Sequence, residues 1–234
     1  AQIGALTPAQ IAALNNTALA GLDATQIAGL SLTQVSALTA AQLAGLTTTQ
    51  LGSLSDDAIV GFSTAQLVGL GTSGIAALTA TQIGSLTPTQ IVALAPSQIA
   101  NLSTTAIGGL TPTQMSALLP LQIAALPGIS LGSLTSTQLN ALSPTQVGAI
   151  AALSSLGTTL LPALTTTQIA GLNTAQLRAL TGIAAGALTT TQLAALGTTQ
   201  IAALSPIGVS GLTTTQINAL TATQVAALAA TALA

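Results

Sequence analysis

The chain has 234 residues and four charges, Asp23, Asp56, Asp57 and Arg178, for a net charge of −2. It contains no His, Cys, Trp or Tyr, and Phe62 is its one aromatic residue. One Arg cannot neutralise a nucleic-acid backbone, no His or Lys stands beside Ser or Thr to activate it, and without Cys no disulfide staples the fold.

Half of the residues are hydrophobic. Disordered chains combine low hydrophobicity with high net charge, so an ordered, repetitive structure is expected instead. Polar residues interrupt every apolar run well short of the length of a transmembrane helix. No basic segment precedes an apolar run, so no signal peptide is visible. The chain opens mid-phrase at AQIGAL, ends at TALA and lacks an initiator Met. It reads as a processed product or an excerpt of a longer array.

In chain order, large aliphatic residues recur in pairs: Ile3/Leu6, Ile11/Leu14, Leu19/Leu22, Ile27/Leu30, Val35/Leu38. The pairs advance by eight to Val147/Ile150, where the six residues AALSSL at 151–156 break the frame. The period resumes at Leu161/Leu164 and runs to Val225/Leu228, with the consensus T-x-T-Q-I-x-A-L. An internal period of this kind signals a repeat architecture.

Each octad reads as a helix start. In Thr87–Leu94, Thr87 fits the N-cap, Pro88 fits N1, and Gln90 completes a capping box. Leu86 and Ile91 form a hydrophobic staple around the cap. Thr, Ser, Asn or Asp holds the cap position in 21 of the full octads and Gly in three more, so the register persists along the chain. Seven of the nine prolines (Pro8, Pro88, Pro96, Pro112, Pro120, Pro144 and Pro206) fall at N1. Asp23 lies at a cap and Asp56 and Asp57 at N1 and N2, where the helix dipole favours negative charge. Arg178 lies further along its octad.

Octads lacking Gln at the fourth position begin at 55, 103, 127, 157, 181 and 205, separated by multiples of 24 apart from the six-residue offset. The octad at 79 shares this phase but keeps Gln, and those at 15 and 71 deviate out of phase. This tendency predicts three octads per coil, with one side in a different environment. A continuous helix is excluded, because an eight-residue stripe winds around the axis. The expectation is an all-α solenoid of very short capped helices, eight residues per unit and three units (24 residues) per coil. A triangular β-solenoid is the alternative. Isolated helices this short are unstable in water, so stacking must stabilise them around a shared interior of Ile and Leu. With helices ~9 Å apart, about ten coils would make a rod on the order of 90 Å. Residues 1–234 read as one continuous repeat array, with a local stacking defect expected at 151–156.

No residue is assigned a catalytic, cofactor-binding or metal-binding role. Asp56 and Asp57 are adjacent and do not share a helix face, so they read as helix-start charges. The glycosylation patterns at Asn15 and Asn101 are incidental. Rows of Thr could order water as in ice-binding solenoids, but at the cap position Thr alternates with Ser, Asn and Asp, which favours capping as its reason.

TPTQIVAL at 87–94, preceded by Leu86, resembles the opening of a TAL-effector repeat, which supports a helix there. That family's second helix, 34-residue period, base-reading pair and basic character are missing, so DNA recognition is excluded. The whole chain also resembles T-x-x-Q-[ILV]-x-x-L octapeptide arrays of long bacterial secreted or surface proteins, often adhesin-like. This resemblance implies an extracellular or cell-surface structural role. With almost no charge to keep copies apart and an unfinished coil at each end, the chain is expected to self-assemble, end-to-end and laterally, into a fibre, filament or sheath. Surface or matrix components are further candidate partners. A non-polymerising adhesin stalk or ligand-binding solenoid and an ice-binding protein are the alternatives. No enzymatic activity, cofactor, nucleic acid or transmembrane segment is expected.

Overall fold

The computed structural model describes residues 3–232, with side chains from Ile3 to Leu228. Among the described residues there are 27 α-helices, three 3₁₀ helices and no strand. The fold is an all-α solenoid of short helices, and the β-solenoid alternative falls away.

The helix start forms as its sequence dictates. In the helix Pro88–Ala93, Thr87 has extended backbone and its Oγ1 accepts from the Gln90 N–H at 3.2 Å. Gln90 Oε1 in return accepts from the Thr87 N–H at 2.7 Å. The helix stops after six residues because Leu94 is extended (φ −64°, ψ 137°) and leads into Ala95 and Pro96. Proline disfavours helical backbone at the residue before it. The Leu94 N–H bonds back to the Ile91 carbonyl at 3.2 Å, tightening the last turn.

The chain divides into two compact units, Ala1–Leu118 and Leu119–Ala234. In the first, each helix packs on the third one before it: Leu32–Ser36 on Pro8–Ala12, Thr64–Gly69 on Ala40–Ala44, Pro112–Ala117 on Pro88–Ala93. In the second, Pro144–Gly148 packs on Pro120–Ala124, and Pro206–Ser210 on Gly182–Ala187. Three octads therefore make one coil in each unit. The fifth and eighth residues fill the interior, as with Ile91 (0% exposed) and Leu94 (2%). Phe62 occupies an eighth position and is buried like the leucines it replaces.

The irregular stretch 151–156 keeps its place in the stack, which corrects the expectation of a stacking defect. Leu153–Leu156 is a 3₁₀ helix that packs on Gly128–Gly132, three units before it. A 3₁₀ helix rises ~2.0 Å per residue against ~1.5 Å in an α-helix, so four residues span about the length of five. A six-residue unit thus closes one side of a coil. Its cost is local backbone change: Ala152 enters at φ −116°, ψ 67°, and Gly157 leaves at φ +62°. The following octad splits into Gly157–Leu160 and the 3₁₀ helix Leu161–Ala163, which packs against Ser136–Asn140. Because 151–156 counts as a full side, the Gln-free octads from 157 onward lie one side over from the one at 127.

Two further expectations change. Gly71 and Gly157, read as caps, are instead the first residues of their helices, both with positive φ, and neither helix has a side-chain cap. The last helix runs from Ala222 to Ala232, past the octad end at Leu228. Ala229 and Ala230 follow where a capping residue would stand, and alanine favours continuing the helix. The unfinished phrases at the termini include Ala1, Gln2, Leu233 and Ala234, which lie outside the described residues.

Candidate functional site: the coil-to-coil interface

The repeated glutamine forms the most regular polar site of the molecule. Its Oε1 closes the capping box on its own helix, and its Nε2 reaches into the preceding coil. Gln114 Nε2 donates to the Ile83 carbonyl at 2.8 Å and the Leu86 carbonyl at 2.6 Å. Gln82 donates to Leu51 at 3.1 Å and Leu54 at 2.7 Å, and Gln90 to Val60 and Phe62, both at 2.8 Å. In the second unit Gln192 reaches Leu161 and Leu164, and Gln216 reaches Gly186 and Leu188. The acceptor ending each octad lies 28 residues back in these cases. Across the short unit the same bond spans 26 residues, as in Gln168 to Leu142 and Gln176 to Ile150. The two residues missing from 151–156 account for the difference, and the bonding pattern is kept.

The chemistry requires an amide. One side chain accepts from a cap N–H and donates both to the carbonyl that ends an octad, such as Leu86, and to one in the last helical turn, such as Ile83, which also accepts from the Leu86 N–H. These glutamines are buried within the stack, Gln82 and Gln114 at 1% exposure. A buried amide with both ends bonded avoids the cost of desolvating a polar group. Sequence reasoning found the accepting half and missed the donating half. The signal was present: a capping box accepts Glu or Gln, yet the only acids in this chain are its three Asp residues.

The two faces of a coil differ. One presents fourth-position glutamines and eighth-position leucines; the other presents carbonyls and fifth-position aliphatics. Close backbone approach completes the fit at a few sites. A Cβ on Gly109 would overlap the Ala80 carbonyl oxygen, and one on Gly84 would stand 2.8 Å from the Gly109 carbonyl oxygen.

The charged residues hold helix-start and helix-end places. Asp23 Oδ1 accepts from the Gln26 N–H at 2.8 Å, Asp56 and Asp57 open the helix Asp56–Val60, and Arg178 ends the helix Thr174–Arg178. Asn15 caps its helix through Oδ1, and Asn101 Nδ2 bonds the Ser97 carbonyl. Among the described residues no group of three or more His, Cys, Asp or Glu could hold a metal ion, and no helix is long and apolar enough to cross a membrane.

Fold and interface together define a repeat protein, an α-solenoid whose coils are joined by a ladder of buried amides. A family model described as the ALTTAQ repeat matches residues 59–88 and 169–206, so these two regions are similar to that repeat. ALTTTQ at 187–192 shows the likeness directly. No curated protein matches the chain.

Proposed function

We propose that this chain is a structural repeat protein that self-assembles into an extracellular fibre, filament or sheath, without enzymatic activity or cofactor. The observation that carries this reading is the complementarity of the two coil faces. Each coil already seats on another coil of similar sequence, through the same amides, carbonyls and aliphatic side chains. Four charges in 234 residues leave little repulsion between copies. An adhesin-like surface setting follows from the octapeptide resemblance. Electron microscopy of the purified chain over a concentration series tests assembly. Filaments are expected, and dispersed single particles at the highest concentration would overturn the reading. Cell fractionation with surface proteolysis tests the location.

Ice binding is a second reading, supported by one local observation. The stacked helices Thr166–Ala170, Thr190–Ala194 and Thr214–Asn218 each open with Thr at N1 and N2, positions that do not cap. Thr166, Thr167, Thr191, Thr214 and Thr215 are exposed and Thr190 is half-buried, in an uncharged row. Thermal hysteresis that disappears on Thr-to-Ala changes along this row would establish it; absence of hysteresis in the unaltered chain would end it.

A further inference from the structure

Within each unit, one coil is tied to the coil before it by a single glutamine. In the first unit the octads at 31, 39 and 47 carry Gln34, Gln42 and Gln50, whose amides reach the Leu6, Leu14 and Leu22 carbonyls of the preceding coil at 2.7, 2.7 and 2.8 Å. The octads at 79, 87 and 95 are tied in the same way through Gln82, Gln90 and Gln98. Between these two coils, the octads at 55, 63 and 71 carry Ala58, Gln66 and Gly74. Only Gln66 crosses, to the Leu38 carbonyl at 2.6 Å. Ser36 Oγ adds little, because its one proton is shared between the Leu32 carbonyl at 2.8 Å and the Gly61 carbonyl at 3.1 Å. In the second unit the octads at 173, 181 and 189 bring Gln176 and Gln192, and those at 197, 205 and 213 bring Gln200 and Gln216. The sides at 151, 157 and 165 bring Gln168 alone, which reaches Leu139 and Leu142, both at 2.8 Å.

The missing amides leave carbonyls behind. An amide at the place of Ala58 or Gly74 would meet the Leu30 or Leu46 carbonyl, by the register that joins Gln82 to Leu54. Leu126 and Leu134 hold the corresponding places in the second unit. All four leucines are buried, and among the described residues their carbonyls accept no hydrogen bond. A second feature, independent of the first, falls in the same two coils. Gly71 and Gly157 are the residues with positive φ, and the helices they open follow a helical Leu70 or Leu156 with no side-chain cap. Leu153–Leu156 and Leu161–Ala163 are moreover 3₁₀ helices, whose hydrogen-bond geometry is poorer.

We propose that the coils 55–78 and 151–172 are release points, where the solenoid opens reversibly ahead of the coils beside them. The stability of a stacked array is a sum over its units and their neighbour contacts. Opening therefore begins where ties are fewest and helix starts weakest. Opening also gives water to the Leu30, Leu46, Leu126 and Leu134 carbonyls, which the closed junctions leave without a partner. A rod built this way yields at set places and keeps its other coils intact. This property belongs to the single chain and does not depend on self-assembly.

The test is hydrogen exchange of the 234-residue chain, read by mass spectrometry on its peptides. Peptides from 55–78 and 151–172 are expected to exchange at least tenfold faster than those from 79–102 and 173–196. Ala58→Gln returns an amide to the Leu30 carbonyl and is expected to slow exchange at least threefold across 55–78, the octads at 63 and 71 included. That reach separates a junction from a weak helix start, because a change felt by one helix alone leaves the other two sides as they were. Gln66→Ala removes the last tie and is expected to speed exchange over the whole of 55–78, whereas Gln90→Ala acts mainly within its own octad. Circular dichroism verifies that each variant stays folded, and Gln66→Ala decides the matter should Ala58→Gln not fold. Equal protection of the four segments would overturn the proposal, and so would folded variants whose effects stay within the substituted octad.

Discussion

Gln114 donates its side-chain amide to the Leu86 carbonyl at 2.6 Å, across 28 residues of sequence. The same amide group accepts from the Thr111 N–H at 2.7 Å, so one residue both starts a helix and ties it to the coil beneath. The two roles can be separated by substitution.

Gln114→Ala removes both. A net hydrogen bond contributes ~1 kcal/mol, and a buried polar group left without a partner costs ~1–3 kcal/mol. For a chain of this size a melting temperature falls by about 2–4 °C per kcal/mol. Calorimetry is expected to show a drop of at least about 4 °C.

Gln114→Glu keeps the acceptor and loses the donor. If capping were the whole role, this change would be neutral. Burial and the facing carbonyl lone pairs instead raise the carboxyl pKa in the folded state above its unfolded value of about 4.3. The folded chain then binds the proton more tightly. Stability is expected to be near that of the parent chain below pH ~4, where the protonated acid donates, and to fall as pH rises from there toward the folded-state pKa. Melting curves between pH 3 and 8 check this; a flat profile matching the parent chain would refute the amide ladder.

Thr165 and Thr167 share one octad but not one role. Thr165 Oγ1 accepts from the Gln168 N–H at 3.2 Å, while Thr167 is exposed at N2. Thr165→Ala is expected to cost ~1 kcal/mol, and Thr167→Ala to stay within about ±0.5 kcal/mol, as a surface change does. Equal effects in chemical denaturation would contradict the cap assignment.

Glycines separate by what lies above them. Gly109→Ala meets the Ala80 backbone, whereas Gly45→Ala meets the Asn16 side chain, with Nδ2 at 3.0 Å, which can swing away. Overpacking that forces backbone shifts typically costs ~1–3 kcal/mol. Gly109→Ala is therefore expected to lower the melting temperature clearly, and Gly45→Ala to leave it nearly unchanged.

Gly157 and Gly197 separate by backbone. Gly157 has φ +62° and Gly197 has φ −70°. With ψ −166° as well, Gly157 lies in backbone essentially confined to glycine, where a side chain costs about 1–3 kcal/mol, so Gly157→Ala is expected to destabilise and Gly197→Ala to be close to neutral. Melting of the two single variants side by side checks this, and equal shifts would contradict it.

Much of this fold was legible because its signals are local. Thr87, Pro88, Gln90 and Ile91 each satisfy a requirement set within one helical turn, so eight residues suffice to define helix, start and stop. The spacing of Gln-free octads carried the three-octad coil, since every third unit returns to the same side. Three features needed the tertiary structure. The donating amide of Gln114 acts on a carbonyl 28 residues away, and nothing local identifies that partner; only the uniform choice of Gln over Glu pointed to it. Leu153–Leu156 becomes 3₁₀ because its neighbours fix the distance to be spanned, which six isolated residues do not state. Gly71 and Gly157 adopt positive φ because the chain must begin a helix there directly after a helical Leu, without an extended cap. Helix starts follow from bonds within one turn of chain. Stacking follows from bonds between coils, and those exist only once the coils are placed on one another.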